Sequence, residues 1–419
     1  MGEVRPIRGP IDRVISVPGS KSLANRALVI AGLAGRSNLY NVPDGDDCVA
    51  MIDALRALGA EVSVGDSEVS VGRPVDRDRD RQVVVNARLA GTTSRFLLGL
   101  CSLIVGPTTV TGEDALTRRP MQDLLDALVS LGANVSSTQG RLPVTVSRGS
   151  LSGGRLSVRA DVSSQFISSL MLVGPSLAGG LRIEMSGSTV SASYIGLTAD
   201  VMRHFGCDVS LDSSTIAIGE GSYRSSRFDV PPDASSASYP LLLVALHGGK
   251  VRIPDLGRAS NQGDFRFLSI LESTGCSVRL DADDVIVERD PSRTLSAIDV
   301  DMRDCSDLVP TVAVLATQLS GRTTIRGVGF VRGKESDRIG DLAAELCALG
   351  AHARTTEDGL EIDGSSLHGG LVRTHHDHRL AMAFGVLGTL IGGVRVDDEG
   401  VVSKSWPNFW TDMEIATSS

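Results

Sequence analysis

The sequence has few aromatic residues, no closely spaced cysteines and no excess of positive charge. Aromatic side chains make up 4% of its 419 residues. The six cysteines form no Cys-x-x-Cys pair and no dense framework, so we expect reduced, mostly buried thiols. The formal net charge of −9 argues against nucleic acid or an anionic membrane as a partner, because such binding needs a broad basic face. A small anionic substrate is not excluded, since a few converging cations set the local field.

Long apolar runs are also missing. The longest mostly apolar segment, Leu380 to Val394, contains four glycines and is shorter than the roughly 20 residues that a membrane helix needs. Charged residues lie near the start of the sequence, where an export signal would need an apolar core. We therefore expect a cytoplasmic protein with no membrane span.

A repeated motif is present instead. Five apolar-spaced helical segments each end in a glycine that is followed by a small or β-prone residue. These glycines are 59, 132, 206, 275 and 350, so they are separated by 73, 74, 69 and 75 residues. The spacing predicts a repeated α/β unit of about 70 residues. The chain length allows six copies, three per domain, and we expect the sixth to be the least regular and split between the termini.

Between these units, the run Asp76–Arg81 alternates acidic and basic residues. Such runs are typical of solvated connections. We expect it to lie in solvent.

The segment Val17–Leu28 places Lys21, Ser22 and Arg26 just after a Pro-Gly turn. A nucleotide-binding P-loop is excluded, because Ser20 and Val14 stand where that motif requires glycine. A helix that starts after a turn still offers free N–H groups, and the three side chains add donors for an anion. An ordinary polar helix start is the alternative.

Two other motifs are weak. The glycine-rich stretch Gly327–Gly333 differs by one residue from a dinucleotide-binding fingerprint and lacks a clearly placed acidic partner. His375–His378 resembles a metal cluster but has no His-Glu-x-x-His helix or cysteine set with it. We expect no cofactor and no metal.

Arginine or lysine recurs in short turns rich in Gly, Ser or acidic residues. These turns are Ala90–Arg95, Thr117–Pro120, Lys334–Arg338, Asp377–Arg379 and Val402–Lys404. Each turn alone is typical of a surface. Together they could wall a pocket for several phosphates and carboxylates.

In sequence order these stretches resemble the 5-enolpyruvylshikimate-3-phosphate synthase family over essentially the full chain. The matching segments also include Pro18–Ser22 with Asn25 and Arg26, Ser163–Gln165, and Asp233–Tyr239. The resemblance implies an α/β (α+β) fold, a two-domain inside-out α/β barrel with three βαβαββ repeats in each domain. It places one domain at 15–228 and the second, discontinuous domain at 1–14 plus 229–419.

The implied reaction moves the enolpyruvyl group of phosphoenolpyruvate onto the 5-hydroxyl of shikimate 3-phosphate and releases phosphate. Both substrates carry a phosphate and a carboxylate, so they repel each other unless fixed positive groups offset their charge. We expect a monomer whose partners are these two small molecules. We also expect the two domains to close over shikimate 3-phosphate.

The resemblance also implies roles for individual residues. Those implied for shikimate 3-phosphate are Lys21, Ser22, Arg26, Ser163, Ser164, Gln165, Ser191, Tyr194, Asp307 and Lys334. Those implied for phosphoenolpyruvate are Lys21, Gly91, Arg119, Gln165, Arg338, Arg379 and Lys404.

The implied catalytic residues are Asp307 as base, Glu335 as acid and Lys21 as a further proton carrier. A proton donor is useless once ionised, so we expect a raised pKa for Glu335. Asp307 is chosen over Asp304 because it lies three residues before Pro310.

The sequence departs from the family pattern at three places. Thr311 follows Pro310, Phe330 replaces a phosphate-binding Asn, and Phe96 replaces a frequent Pro. These changes leave the contact at Phe330 and the sensitivity to glyphosate open.

Two rival functions remain. The sister enzyme, UDP-N-acetylglucosamine enolpyruvyl transferase, shares the fold but carries a reactive loop cysteine, which is not matched here. A non-catalytic repeat protein that binds anions would not need Asp307 and Glu335 beside the cations.

Overall fold

The computed structural model describes residues 4–417, and in this range the chain forms thirteen α-helices and 22 β-strands. Contacts divide the chain into two compact units. The first unit is Gly19–Val230, and the second joins the described residues up to Pro18 with those from Pro231 onward. The predicted two-domain α/β fold class is confirmed. The expected boundaries near residues 15 and 228 stay predictions, since compactness does not test independent folding.

The elements follow one another in a repeating strand and helix order. They are β1 (Ile11–Val14), α1 (Lys21–Ala34), β2 (Ser37–Tyr40), α2 (Asp46–Ala57), β3 (Glu61–Val64), β4 (Glu68–Arg73), β5 (Val83–Asn86), α3 (Gly91–Cys101), β6 (Thr108–Thr111), α4 (Asp114–Thr117), α5 (Gln122–Ser130), β7 (Asn134–Thr138), β8 (Arg141–Ser147), β9 (Gly154–Arg159), α6 (Ser164–Val173), β10 (Leu181–Ser186), α7 (Ser193–His204), β11 (Val209–Leu211), β12 (Thr215–Ile218), β13 (Arg227–Asp229), α8 (Ala234–His247), β14 (Gly249–Ile253), α9 (Phe267–Thr274), β15 (Ser277–Asp281), β16 (Asp284–Arg289), β17 (Asp299–Asp301), α10 (Val309–Ala316), β18 (Arg322–Arg326), α11 (Gly340–Ala348), β19 (His352–Thr355), β20 (Leu360–Asp363), β21 (Gly370–Val372), α12 (His378–Ile391), β22 (Val394–Val396) and α13 (Phe409–Thr417).

The sheets repeat one pattern. The first unit contains the strand orders β13-β2-β4-β3, β5-β6-β8-β7 and β9-β10-β12-β11, and the second contains β1-β14-β16-β15, β17-β18-β20-β19 and the two-stranded β21-β22. In each four-stranded sheet the first pair is parallel and the other two pairs are antiparallel. This is the βαβαββ repeat.

Two sheets are completed by strands from distant parts of the sequence. β13 pairs in parallel with β2, and β1 pairs in parallel with β14. The last copy, β21-β22, is the least regular among the described residues, as expected. The N-terminal segment contributes to it, because the Val4 N–H donates to the Val394 carbonyl at 3.1 Å.

The five repeated glycines all follow helices and have positive φ, at 95°, 95°, 81°, 115° and 95° for Gly59, Gly132, Gly206, Gly275 and Gly350. The residue after each glycine donates its N–H to the carbonyl five positions back, for example from Ala60 to Leu55 at 3.0 Å. This is the Schellman ending, in which a left-handed residue closes the helix. The predicted repeat is confirmed.

Apolar helices form the centre of each unit. α1, α3 and α6 pack against one another in the first unit, and α8, α10 and α12 do so in the second. α8 is buried over its whole length, whereas strands such as β8 alternate buried and exposed residues. The sheets therefore cover the helices with one face and meet solvent with the other. In residues 4–417 no helix is both long enough and apolar enough to cross a membrane.

The expectation for the charged run Asp76–Arg81 is wrong at Arg79. Its side chain is buried, and its Nη2 donates to Thr108 Oγ1 at 2.7 Å. Thr108 starts β6, so this arginine ties the connection to a sheet instead of lying in solvent.

Candidate active site

Most predicted site residues lie at or near the N-termini of the central helices. Helix N-termini offer unpaired N–H groups and the positive end of the helix dipole, which favour anions. Lys21 is the first residue of α1, Gly91 the first of α3 and Ser164 the first of α6. In the second unit, Asp307 lies in the 3₁₀ turn Ser306–Leu308 that leads into α10, and Asp377 caps α12.

Lys21 forms an ion pair with Asp47, the second residue of α2. Its Nζ lies 3.0 Å from Asp47 Oδ2, and the two side chains are 14% and 3% exposed. The buried carboxylate fixes the ammonium group beside the start of α1. The sequence analysis missed Asp47 as the partner of Lys21, because no local motif links the two residues.

Arg26 is buried, and each guanidinium nitrogen donates to a protein oxygen. Its acceptors are Thr198 Oγ1 at 2.8 Å, the Ser22 carbonyl at 2.7 Å, Ser168 Oγ at 3.2 Å and the Tyr194 carbonyl at 3.2 Å. The guanidinium carbon lies 5.2 Å from the Phe96 ring centre and 5.7 Å from that of Tyr194. Burial lowers the pKa of Arg26 to about 10. These contacts make Arg26 a link between α1, α6 and α7.

Two guanidinium groups flank the start of α3. A Cβ atom added to Gly91 would lie 2.6 Å from Arg95 Nη1 and 2.8 Å from Arg119 Nη1. Arg95 Nη1 also donates to the Gly91 carbonyl at 2.9 Å. The absence of a side chain at Gly91 therefore lets two cations approach a helix N-terminus, which suits an anion.

The starts of α6 and α7 carry the remaining first-unit residues. Ser163 caps α6, since its Oγ accepts from the Gln165 N–H at 3.3 Å. Gln165 Nε2 in turn donates to Thr92 Oγ1 on α3 at 3.1 Å. Ser191 is buried with φ of 53°, and Tyr194 lies in the first turn of α7. Contacts among these turns bring the predicted first-unit residues to one end of the helix cluster.

Asp307 is the centre of the second-unit cluster. Its Oδ1 accepts from Lys334 Nζ at 2.7 Å and from Arg338 Nη1 at 2.9 Å, and its Oδ2 accepts from Arg379 Nη2 at 2.7 Å. Burial alone would raise the pKa of Asp307, but the three cations hold that pKa well below its usual range. Asp307 is therefore a partly buried residue, 20% exposed, that is held as the carboxylate.

Arg338 holds the cluster together. Its Nε donates to Asp377 Oδ2 at 2.7 Å, and its Nη2 donates to Glu335 Oε2 at 2.8 Å. Burial lowers the pKa of Arg338, but Asp377, Glu335 and Asp307 outweigh this and raise it. The sequence analysis quoted Asp377 only as part of a basic turn and missed its role as the main acceptor for Arg338.

Glu335 also lies 3.8 Å from Lys404 Nζ. The expected raised pKa of Glu335 stays a prediction.

The structure shows the contacts of Phe330, which the sequence left open, and those of the histidine tract. The Lys334 ammonium lies 5.7 Å from the centre of the Phe330 ring, so a cation–π contact stands at this position. His375 Nε2 lies 2.9 Å from Glu345 Oε1. In the described part of the chain, no group of three His, Cys, Asp or Glu residues has an arrangement that could hold a metal ion.

The sheet order, the inner helices and the cations around the carboxylate of Asp307 fit an α/β enzyme that acts on anionic molecules. The sequence profile of EPSP synthase (3-phosphoshikimate 1-carboxyvinyltransferase) matches residues 6–413. The chain belongs to this family.

Individual relatives agree with this assignment. The 3-phosphoshikimate 1-carboxyvinyltransferase of Methanothermobacter thermautotrophicus is 40% identical, with 96% of this chain and 95% of the relative covered. That of Methanospirillum hungatei is 37% identical over 97% and 96% of the two chains. A solved EPSP synthase from Acinetobacter baumannii superposes with a TM-score of 0.79 at 25% identity, covering 99% of this chain and 97% of the other.

The family assignment supports a transferase of aromatic amino-acid biosynthesis. It favours neither the UDP-sugar transferase nor the non-catalytic anion-binding protein.

Proposed function

We propose that this chain transfers the enolpyruvyl group of phosphoenolpyruvate to the 5-hydroxyl of shikimate 3-phosphate and releases phosphate. The observation that carries the proposal is the carboxylate of Asp307, held ionised by direct contacts to Lys334, Arg338 and Arg379. This arrangement supplies a base and several cations within one cluster. Both are needed when a hydroxyl attacks an anionic substrate.

The residues proposed for shikimate 3-phosphate keep the roles that the resemblance implies, with one refinement. The residues proposed to contact this substrate are Lys21, Ser22, Ser163, Ser164, Gln165, Ser191, Tyr194, Asp307 and Lys334. Arg26 acts on the substrate through its charge and not by direct contact, because each of its guanidinium nitrogens already donates to a protein oxygen. Its buried charge still adds to the positive potential at the start of α1.

The residues proposed for phosphoenolpyruvate are Lys21, Gly91, Arg119, Gln165, Arg338, Arg379 and Lys404. The guanidinium groups beside Gly91 support this assignment in the first unit. In the second unit, Arg338, Arg379 and Lys404 currently contact carboxylates, and an anion would compete for them.

The chemistry proceeds by addition and elimination. Asp307 accepts the 5-hydroxyl proton as the oxygen bonds to C2 of phosphoenolpyruvate, while Glu335 protonates C3. Lys21, as the further proton carrier, passes the proton taken up by Asp307 to the leaving phosphate. The tetrahedral intermediate then loses phosphate, and a proton leaves C3 to restore the vinyl group. No redox change occurs, so the atoms and charges balance without a cofactor.

We also propose that the chain acts as a monomer in the cytoplasm. Light scattering after size exclusion would test the first point, and a dimer mass would contradict it.

Phosphate release tests the function. The purified chain, with phosphoenolpyruvate, is given shikimate 3-phosphate in one reaction and UDP-N-acetylglucosamine in another. We expect release only with shikimate 3-phosphate, accompanied by a new vinyl ether signal in the proton NMR spectrum. Release with only the UDP-sugar, or with neither acceptor, contradicts the proposal.

A further inference from the structure

A second buried acid lies behind the cationic cluster. Asp264 sits in a short 3₁₀ turn, Gly263–Arg266, and is 3% exposed. Ser235 Oγ on α8 donates to its Oδ2. Its Oδ1 is buried and has no hydrogen-bond partner among the residues that the structure describes. A buried carboxylate oxygen without a donor is costly, whereas a protonated carboxyl is tolerated.

The turn packs against α8 and against the turn that carries Asp307. Charged and titratable groups face Asp264 from three directions. They are Asp233 at the start of α8, Cys305 and Asp307 before α10, and Arg379 on α12. Arg266 lies on the same turn as Asp264. Burial raises the pKa of the Cys305 thiol to about 12, so it is neutral, and the two carboxylates are matched in number by the two arginines. Burial is therefore the main factor that favours the protonated form of this carboxyl.

Arg379 is the cation that Asp264 and Asp307 share. The guanidinium donates to Asp307 Oδ2 at 2.7 Å, and it also acts on Asp264 electrostatically. Burial and repulsion from Asp307 raise the pKa of Asp264 to about 7, although Arg379 and Ser235 oppose the shift. Like charges around one site seldom ionise together, so Asp264 keeps its proton while Asp307 stays ionised.

We propose that Asp264 is a positioning residue that acts through Arg379. The neutral carboxyl leaves Arg379 available to Asp307 and to an anionic substrate. The ionised carboxylate competes for the same guanidinium and weakens anion binding. The inference rests on the proposed function, since the anion considered is phosphoenolpyruvate.

The test compares the KM for phosphoenolpyruvate across neutral pH in four proteins. These are the wild type, Asp264→Asn, Ser235→Ala and the matched control Asp281→Asn, which changes a half-exposed aspartate on strand β15. The wild-type KM should rise about fivefold relative to that of Asp264→Asn as Asp264 ionises, and kcat should change less. Because the substrate ionises equally in both assays, the ratio of the wild-type KM to the Asp264→Asn KM is independent of substrate ionisation.

The Ser235→Ala variant tests the direction in which the pH midpoint of the KM rise moves. The serine hydroxyl stabilises the carboxylate, so its removal should move the rise in KM to higher pH. A purely structural role for Asp264 would not shift this midpoint. Asp281→Asn should follow the wild-type profile, and thermal melts would confirm that all four proteins are folded.

Infrared spectroscopy tests the protonation of Asp264 without turnover. The difference spectrum between wild type and Asp264→Asn should show a protonated carboxyl band at acid pH that fades as the pH rises through neutrality and is lost at alkaline pH. Identical KM profiles for wild type and Asp264→Asn, or absence of that band, overturn the inference. Failure of the wild type to release phosphate would instead contradict the proposed function and leave the infrared result to decide the protonation of Asp264.

Discussion

Arg379 donates to Asp307 across 2.7 Å, although the two residues are 72 positions apart in the sequence. Lys334 and Arg338 contact the same carboxylate. One carboxylate thus offsets part of the positive charge of three cations. The properties of this carboxylate lead to the first two predictions.

Asp307→Asn should lower kcat by about 10²–10⁴-fold, because the amide cannot accept the hydroxyl proton. Asp304→Asn is the matched control, since Asp304 is the nearby acid that the sequence left as the alternative base. We expect near-normal turnover for this control in the phosphate-release assay. If Asp304→Asn lost activity and Asp307→Asn kept it, the assignment of the base would be reversed.

The low pKa of Asp307 predicts how the stability depends on pH. A carboxyl whose pKa is depressed by folding stabilises the protein above its unfolded pKa, about 3.9, and loses this effect as the pH falls toward the folded value. The difference in unfolding free energy between Asp264→Asn and the double variant Asp264→Asn/Asp307→Asn should be constant from about pH 8 to 5 and change only at more acid pH, because the Asp264→Asn background removes the titration of Asp264 near neutral pH. Urea unfolding measures it. A change centred near neutrality would contradict the depressed pKa.

Lys21→Met should cost about 2–5 kcal/mol of transition-state binding, measured as kcat/KM. It should also cost about 3 kcal/mol of stability, because the buried Asp47 loses its partner. Adding Asp47→Asn should recover most of the stability and none of the activity. Recovery of both would show that Lys21 has only a structural role.

Gly91→Ala should raise the KM for phosphoenolpyruvate about tenfold, because the new Cβ displaces Arg95 and Arg119. Those side chains are flexible, so the unfolding free energy should fall by less than about 1 kcal/mol. Gly196→Ala is the control, since a Cβ at that helical position meets nothing within 4 Å. Equal kinetics for both variants would argue against an anion site at the start of α3.

The helix-ending glycines should differ in their tolerance of alanine. Gly275→Ala should cost about 1–2 kcal/mol from its positive φ alone, because an added Cβ makes only ordinary contacts. Gly132→Ala should cost more, since its Cβ would lie 2.4 Å from the Ser150 carbonyl oxygen. Urea unfolding of both variants checks the order. A smaller loss for Gly132→Ala would contradict it.

The sequence predicted what short segments determine. The helix-ending glycines recur in local patterns, and Lys21 and Gly91 begin helices after recognisable turns. Such features depend on backbone preferences within a few residues, so they can be inferred without coordinates.

The parts that were missed depend on contacts between distant segments. Asp47 pairs with Lys21 from a different helix, and Asp264 comes from a turn that carried no motif. Arg79 lies in a run whose composition is typical of a solvated loop, yet it is buried against β6. Composition gives an average tendency, whereas burial of one side chain depends on which strand lies beside it.

The pairing of β1 with β14 has a consequence for biosynthesis. Ile11 lies opposite Gly249, so the N-terminal strand must wait for a partner that is translated about 240 residues later. At ribosomal rates of about 5–20 residues per second this delay is roughly 10–50 s, and the whole first unit is synthesised within it. The nascent chain therefore presents an unpaired strand edge for that time, and a chaperone that shields such edges would be most useful to this protein before its synthesis ends.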